Sequence, residues 1–397
     1  MKNYNKKMGK ETIVYIGGFE LPDKNAAAQR VLANGKILRS LGHKVYFYGM
    51  SKDHLNNNNV YEDDNFVFAQ SAYPQNLKEW YHHLTSYSKI VDFIEKNIGK
   101  NPDIIIAYNY PSVALNRLRI YCKSNKIKLV ADITEWYNPH GNLLLYFMRF
   151  CDINFRMRYV HNKLDGVIVI SSYLYKFYRK TIKSVLLLPP LVDIEDKKWD
   201  ITKVADFDPK LINLVFAGSA GPNKDRLDII IETLAVINNR SLGEKIHLYV
   251  IGATKYDLIK RFKSSTIPEN IDSFVSFKGQ LSHTEALKYV ASADFTIFLR
   301  KNNIINKAGF PTKFVESLTA GVPVLTNDTS DIFNYLIDGV NGFGFNSLKI
   351  DTIVEKLEGI VNLQNNQIQE MKVNCKSHPI FDYRQYCIIV NDFLISL

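Results

Sequence analysis

Between Arg300 and Gly321 the chain reads RKNNIINKAGFPTKFVESLTAG, and VPVLTN comes next. The turn Gly309-Phe310-Pro311 leads into a helix predicted to start at Thr312, with Lys313 next to it and Glu316 one turn further on. The spacing from Thr312 to Glu316 is four, not the three of a capping box. A helix N-terminus offers unpaired amides to an anion, and a carboxylate one turn later can accept hydrogen bonds from ribose hydroxyls. Arg300 and Lys313 add positive charge, so the segment suits a nucleoside diphosphate. The plainer alternative for Glu316 is favourable placement near a positive helix end.

Two glycine turns follow strand-like runs: Gly17-Gly18 after TIVYI, and Gly218-Ser219-Ala220-Gly221 after LINLVFA. Such turns let backbone amides approach a phosphate closely. Neither matches GxGxxG, and the strand ending Val250-Ile251-Gly252-Ala253 lacks the ribose-binding acid of nicotinamide enzymes. A dehydrogenase is therefore not expected. Lys224, in the run PNKDR just ahead of a helix, is well placed for a diphosphate.

In the first half, DITEWYNPH follows a strand end, where α/β sheets expose functional groups. It carries Asp132, Glu135 and His140, which could contact acceptor and donor sugars. Arg149, Arg156 and Lys163 recur every seven residues and read as one basic stripe on a single helix. Asp206 and Asp208 form a DxD triplet, but ahead of a strand in a charged stretch, so no metal is expected. The run Glu62-Asp63-Asp64 reads as an exposed turn. No Gly-x-Ser-x-Gly elbow, HExxH or Walker lysine is present.

The elements that must position these groups are short β-branched or aromatic runs alternating with helical patterns, the signature of parallel sheets covered by helices. The first half contains TIVYIG, KVYFYGM, NFVFAQ, DIIIAYN, IKLVADI, GVIVIS and SVLLL, with a first helix over 25–41 that stops at Gly42. The stretch 189–209 is rich in charge and proline and reads as a linker. Alternation then restarts with LINLVFAG, IHLYVIG, SFVSFKG, FTIFLR and VPVLTN. The amphipathic end, about 381–397, is predicted to cross back onto the first domain.

A chain of 397 residues suits two domains, and 46% hydrophobic with 23% charged residues excludes a disordered chain. Four scattered cysteines without a CxxC pair argue against a disulfide framework and fit a reducing cytoplasm. The run 13–19 after the basic N-terminus reads as a first strand rather than a signal segment. No stretch approaches the ~18 uninterrupted apolar residues of a membrane span; the best candidate, 143–150, is broken by Arg149. Residues 1–190 carry 27 Lys and Arg against 15 Asp and Glu, a net +12, whereas residues 191–397 carry 23 against 25, a net −2. The first half should therefore meet an anionic partner. Nucleic acid is not expected, because no basic run has the aromatic interleaving of a stacking platform.

The motifs GGF, AGSAGPNKD, KAGFPTKFVESLTAGVPV and DGVNG (338–342) together resemble the family 4 (group 1) retaining glycosyltransferases, and the likeness spans nearly the whole chain. The resemblance implies the GT-B fold, an α/β architecture of two Rossmann-like domains facing a cleft. The boundaries would be 1–188 with 380–397 for the acceptor domain, 189–209 for the linker and 210–379 for the donor domain. It implies donor binding by Gly17, Gly18, Lys224, Arg300, Gly309, Phe310, Pro311, Thr312, Lys313 and Glu316, with Glu316 on the ribose. Asp132, His140, Lys224 and Arg300 would be catalytic, and Glu135, Arg149, Arg156 and Lys163 would serve the acceptor or a membrane. The family commonly has a second glutamate eight residues before the ribose-binding one; here that position is Ala308. The implied function is transfer of a sugar from a nucleotide-sugar donor to a glycan or lipid-linked acceptor, with retention, in cell-surface polysaccharide or glycoconjugate synthesis. No cofactor or metal is implied, and the location is cytoplasmic, peripheral on an anionic inner membrane face. The rival readings are a sugar-nucleotide epimerase or hydrolase of the same fold, and a non-catalytic nucleotide-sugar or nucleic-acid binding protein.

Overall fold

The computed structural model describes residues 10–22, 25–52, 61–63, 66–139, 141–203, 207–218, 225–239, 246–261 and 267–397. The chain divides into two compact units, one of residues 1–192 with 382–397, the other of residues 193–381. Each is built on its own sheet.

The first unit's sheet contains β1 (Thr12–Gly17), β2 (Lys44–Ser51), β3 (Tyr61–Asp63), β4 (Phe66–Ala72), β5 (Ile104–Tyr108), β6 (Lys128–Ile133), β7 (Gly166–Val169) and β8 (Val185–Leu187). Their spatial order is β3-β4-β2-β1-β5-β6-β7-β8, parallel except for β3, which runs antiparallel to β4. Every residue of β1 and β5 is buried, as parallel strands covered on both faces require. Glu62 and Asp63, expected in a turn, instead form part of that edge strand; Asp64 lies outside the described residues. The first helix, Ala26–Ser40, begins where the Asn25 side chain accepts from the Ala28 amide at 2.8 Å. It ends before Gly42, whose φ of +93° a residue with a Cβ adopts only under strain.

The last helix, Cys387–Ile395, packs on the first helix and on β8, so the chain end does return to the first unit. Val390, Phe393 and Leu394 join the same core as Ile13, Ile37 and Ile168. Gly166 permits this close approach, since a Cβ there would lie 2.6 Å from Leu397 Cδ2 and 3.0 Å from Phe393 Cζ.

At the centre of this unit Asp132, at the end of β6, is fully buried. Arg30 reaches it from the first helix through Nη2 at 2.7 Å and Nε at 3.0 Å, and the Tyr15 hydroxyl donates to it at 2.5 Å. Asn34 donates to both Tyr15 and Asp132. Arg30 spends its other nitrogen on the Leu188 and Pro189 carbonyls, at 3.1 and 3.3 Å. Burial and the neighbouring carboxylate push the Tyr15 phenol well above its ordinary value. A buried charge persists only when paired and hydrogen-bonded, and this network satisfies both partners while tying three distant segments together.

The second unit's sheet contains β9 (Ile212–Ala217), β10 (Ile246–Ile251), β11 (Val275–Gly279), β12 (Phe295–Phe298), β13 (Val324–Asn327) and β14 (Gly342–Phe345), all parallel. Their order is β11-β10-β9-β12-β13-β14, so the connection reverses direction between β9 and β12. The strand β14 was not anticipated, because half of its four residues are glycine. Residues 193–209, read as linker, fall in this second unit, and Phe207 stacks on Tyr249 at 4.1 Å.

Replacing Asp132 with alanine leaves Arg30 buried without its counter-ion, which costs about 3–5 kcal/mol. Urea unfolding of Asp132→Ala should show a correspondingly lower midpoint; a midpoint equal to the parent's would show that the network contributes nothing.

Candidate functional site

Ligands of open α/β sheets bind outside the carboxyl ends of the strands where the connection reverses. In the second unit that place is the pair β9 and β12. After β9 comes Gly218 and, further on, Asp225; after β12 comes Arg300. Asp225 and Arg300 pair as an isolated antiparallel bridge, and the Arg226 amide donates to the Leu299 carbonyl at 2.7 Å. The loop after β12 is stitched to the end of β13, where Asn327 accepts from the Arg300 amide at 2.7 Å and donates to its carbonyl at 2.9 Å.

Beyond Arg300 the chain forms a short helix, Ile304–Ala308, then the turn Gly309-Phe310-Pro311, then the helix Thr312–Thr319. Phe310 anchors the turn against Phe314, Tyr335 and Phe381, and Ser330 Oγ donates to the Gly309 carbonyl at 2.5 Å. Pro311 precedes the helix in extended backbone and gives it no side-chain cap. The first amides of Thr312 and Lys313 therefore point outward uncapped, beside the positive end of the helix.

Lys313 lies on the first turn, and its ammonium donates to Asp225 Oδ2 at 2.7 Å, while Arg300 Nε donates to Oδ1 of the same carboxylate at 3.0 Å. The Lys313 nitrogen also stands 4.6 Å from the centre of the Phe216 ring. Gly218 makes room for it: its φ is +146°, and a Cβ would sit 2.6 Å from that nitrogen. Burial by itself would raise the Asp225 carboxyl, but Lys313 and Arg300 outweigh it and hold it below the usual carboxylate range. Burial pulls the Lys313 ammonium below its usual range, Asp225 opposing. Two cations share one carboxylate, so the cluster keeps an excess positive charge. One turn later, Glu316 Oε1 meets His283 Nε2 at 3.2 Å. His283 opens its own helix behind a capping box formed by Ser282 and Glu285.

Of the residues singled out from the sequence, Arg300, Gly309, Phe310, Pro311, Thr312, Lys313 and Glu316 are brought together here. Ala308 is fully buried. Lys224 and His140 lie outside the described residues. Asp225 and His283 were missed as site residues; the only signal for Asp225 was its place directly after Lys224.

The first unit corrects two expectations. Asp132, expected to be catalytic, has both oxygens spent on Arg30, Tyr15 and Asn34 and none of its surface exposed. Glu135 is half-buried, Gly17 is buried, and Gly18 is exposed, with open space where a Cβ would stand. The basic stripe does not exist as such. The helix Leu143–Phe155 passes into a π turn at Arg156–Val160 and a 3-10 turn at His161–Lys163, so the heptad spacing no longer maps to one face. Arg156 is buried, donating to the carbonyls of Asn109 and Tyr110. Arg149 is exposed, and so is Lys163, which stands over the Tyr159 ring at 3.7 Å.

Residues 197–377 match the family model described as glycosyl transferases group 1. No curated protein matches the sequence. The fold is similar to that of HepE from Anabaena, solved in complex with UDP, at 14% identity and TM-score 0.66, covering 97% of this chain and 100% of that one. It is also similar to sucrose-phosphate synthase from Thermosynechococcus elongatus, at 13% identity and TM-score 0.67, covering 97% and 98%. A third similar structure is WaaG, a glycosyltransferase involved in lipopolysaccharide biosynthesis, at 14% identity and TM-score 0.60, covering 95% and 99%.

Because its folded-state value is depressed, ionised Asp225 adds stability that is fully present above the ordinary carboxyl value of about 4 and is lost as the pH falls through its own lower value. Thermal melts of the parent and of Asp225→Asn should therefore differ most near neutral pH and converge as the solution turns acid. A difference that stays constant into strong acid would contradict the pairing.

Proposed function

We propose that this glycosyltransferase, a GT-B chain whose residues 197–377 form a glycosyl transferases group 1 domain, moves a sugar from a nucleotide-sugar donor to a glycan or lipid-linked acceptor with retention. The observation that carries this reading is the cluster of Arg300 and Lys313 on Asp225, beside the uncapped start of the helix Thr312–Thr319. It offers excess positive charge and outward amides where a diphosphate would sit, with Glu316 one turn away to accept from ribose hydroxyls. UDP and UDP-glucose, which accompany HepE in its solved complexes, are donor chemistry of this kind.

In the reaction the bond from the anomeric carbon to the diphosphate oxygen breaks, its electron pair leaving with the diphosphate. The acceptor hydroxyl oxygen bonds to that carbon and gives up its proton. Arg300, Lys313 and the helix amides meet the developing charge in place, without reorganisation, and Lys224 keeps the diphosphate role that the family resemblance implies. Retention and a role in cell-surface polysaccharide or glycoconjugate synthesis rest on the family resemblance.

The acceptor belongs to the first unit in this reading, and the chain works peripherally on an anionic cytoplasmic membrane face. No helix among the described residues is long and apolar enough to cross a membrane. What supports docking is the helix Leu143–Phe155 rather than a basic stripe. All residues from 141 to 150 are exposed, with Leu143 at 87%, Leu144 at 69% and Phe147 at 62%. Arg149 and Lys163 are exposed nearby in sequence, and the surplus of +12 over residues 1–190 complements an anionic surface. An apolar helix with basic flanks lies in a bilayer interface, where each basic side chain contributes about 1 kcal/mol.

Calorimetry should show Glu316→Ala binding its nucleoside diphosphate roughly 10- to 100-fold more weakly, the loss of charge-assisted hydrogen bonds; unchanged affinity would remove Glu316 from the ribose. Turnover should survive EDTA; loss restored by magnesium or manganese would show that the cations named here do not suffice. In liposome flotation, the double variant Leu144→Glu/Phe147→Glu should lose binding to anionic vesicles that the parent retains. Equal flotation of parent and variant, or a parent that dimerises through this helix without binding lipid, would overturn the membrane reading.

A further inference from the structure

Among the described residues three that are not glycine have a positive φ: Asn109, Lys126 and Ser330. Asparagine tolerates the left-handed region through its short polar side chain. Lys126 comes just after the helix Ser112–Ser124, where a left-handed residue commonly closes a helix. Ser330, at φ +55°, has neither reason. It stands half-buried, three residues past the end of β13 at Asn327. A serine in this region is strained, and such residues persist where their surroundings over-determine them.

What holds Ser330 is the donor segment. Its Oγ donates to the Gly309 carbonyl at 2.5 Å. Asn327, on the same strand tail, accepts from the Arg300 amide at 2.7 Å and donates to the Arg300 carbonyl at 2.9 Å. The tail of β13 therefore grips the segment 300–309 at both ends. A turn that needed only closure would be served at position 330 by glycine, which takes a positive φ without strain. The hydroxyl is what a glycine lacks.

The grip on Gly309 sets a peptide plane. In a trans peptide the carbonyl and the following N–H point in opposite directions, so a Gly309 carbonyl turned toward Ser330 turns the Phe310 N–H away from it. That amide has no hydrogen-bond partner among the described residues. The Phe310 ring is packed against Phe314, Tyr335 and Phe381, so the residue itself is anchored. Pro311 has no N–H, and the uncapped amides of Thr312 and Lys313 come next.

We propose that Ser330 is a positioning residue for the donor: its hydroxyl fixes the Gly309–Phe310 peptide so that the Phe310 amide joins those of Thr312 and Lys313 in facing the diphosphate. The proposal rests on the nucleotide-sugar reading of this site and adds the residue that orders its amides. Amides already held in place lose little freedom when the anion arrives. Arg300 and Lys313 supply charge, the amides supply direction, and Ser330 governs the second.

The test compares Ser330→Ala, which keeps the strain and loses the hydroxyl, with Ser330→Gly, which loses both. Thermal melts of the full chain should place Ser330→Gly above Ser330→Ala. Ligand-observed NMR then titrates UDP, GDP and ADP, and the free nucleoside of whichever binds the parent most tightly. Both variants should bind that diphosphate about fivefold more weakly than the parent, the net worth of one hydrogen bond, and bind the nucleoside as the parent does. A loss shared equally by nucleoside and diphosphate, or one seen in Ser330→Ala but not in Ser330→Gly, would show that Ser330 acts through stability alone and overturn the proposal. Variants that bind the diphosphate like the parent would overturn it as well, while leaving the donor site intact. A parent that binds none of the three diphosphates would instead sink the nucleotide-sugar reading itself.

Discussion

A single carboxylate, Asp225, is the constraint on which the candidate donor site depends. It is nearly buried, and an ion in that position must be paired or it is not tolerated. Arg300 and Lys313 meet it from two different elements, the loop after β12 and the helix that succeeds the Gly309-Phe310-Pro311 turn. Once both are drawn to Asp225, the start of the helix Thr312–Thr319 and Glu316 have fixed places, because they lie on the same short helix as Lys313. Gly218 completes the arrangement by leaving space that any side chain would fill.

The first unit applies the same physics with a different result. Asp132 also sits at a strand end and also binds an arginine, but it is wholly enclosed, and its other contacts are the neutral Tyr15 and Asn34. One negative and one positive charge cancel there, and no donor is left over for a ligand. At Asp225 two cations face one carboxylate and remain partly exposed, 11% for the Arg300 side chain and 16% for Lys313. A buried ion pair is weak evidence of function; the unbalanced, half-open cluster is what distinguishes the second from the first.

The helix Leu143–Phe155 shows how local continuity decides a surface. Three basic residues at heptad spacing share a face only if the helix keeps a constant period. The π turn at Arg156–Val160 widens the helix and rotates the residues beyond it, and Arg156 goes inward to two backbone carbonyls. The side chains left outside are mainly Leu, Tyr, Phe and Met, so the surface is apolar with a basic border. Nothing in the residue pattern LLLYFMRFCDINFRMRYV announces where the turn widens.

The sequence by itself determined the two α/β units, since fully buried parallel strands must be runs of apolar residues and their helices must carry caps such as Asn25 and Ser282. It also determined the block from Arg300 to Glu316, because those residues are close along the chain and a helix start orders them locally. The short strand β14, half glycine, and the edge strand β3, with its acidic residues, escaped it for want of an apolar run. Only the tertiary structure decided which charges became neighbours. Asp225 lies 75 residues before Arg300 and 88 before Lys313, and Asp132 lies 102 after Arg30. Such pairs are set by strand order, which brings β12 beside β9 and β6 within reach of the first helix. Strand order is a property of the packed sheets that no local spacing contains.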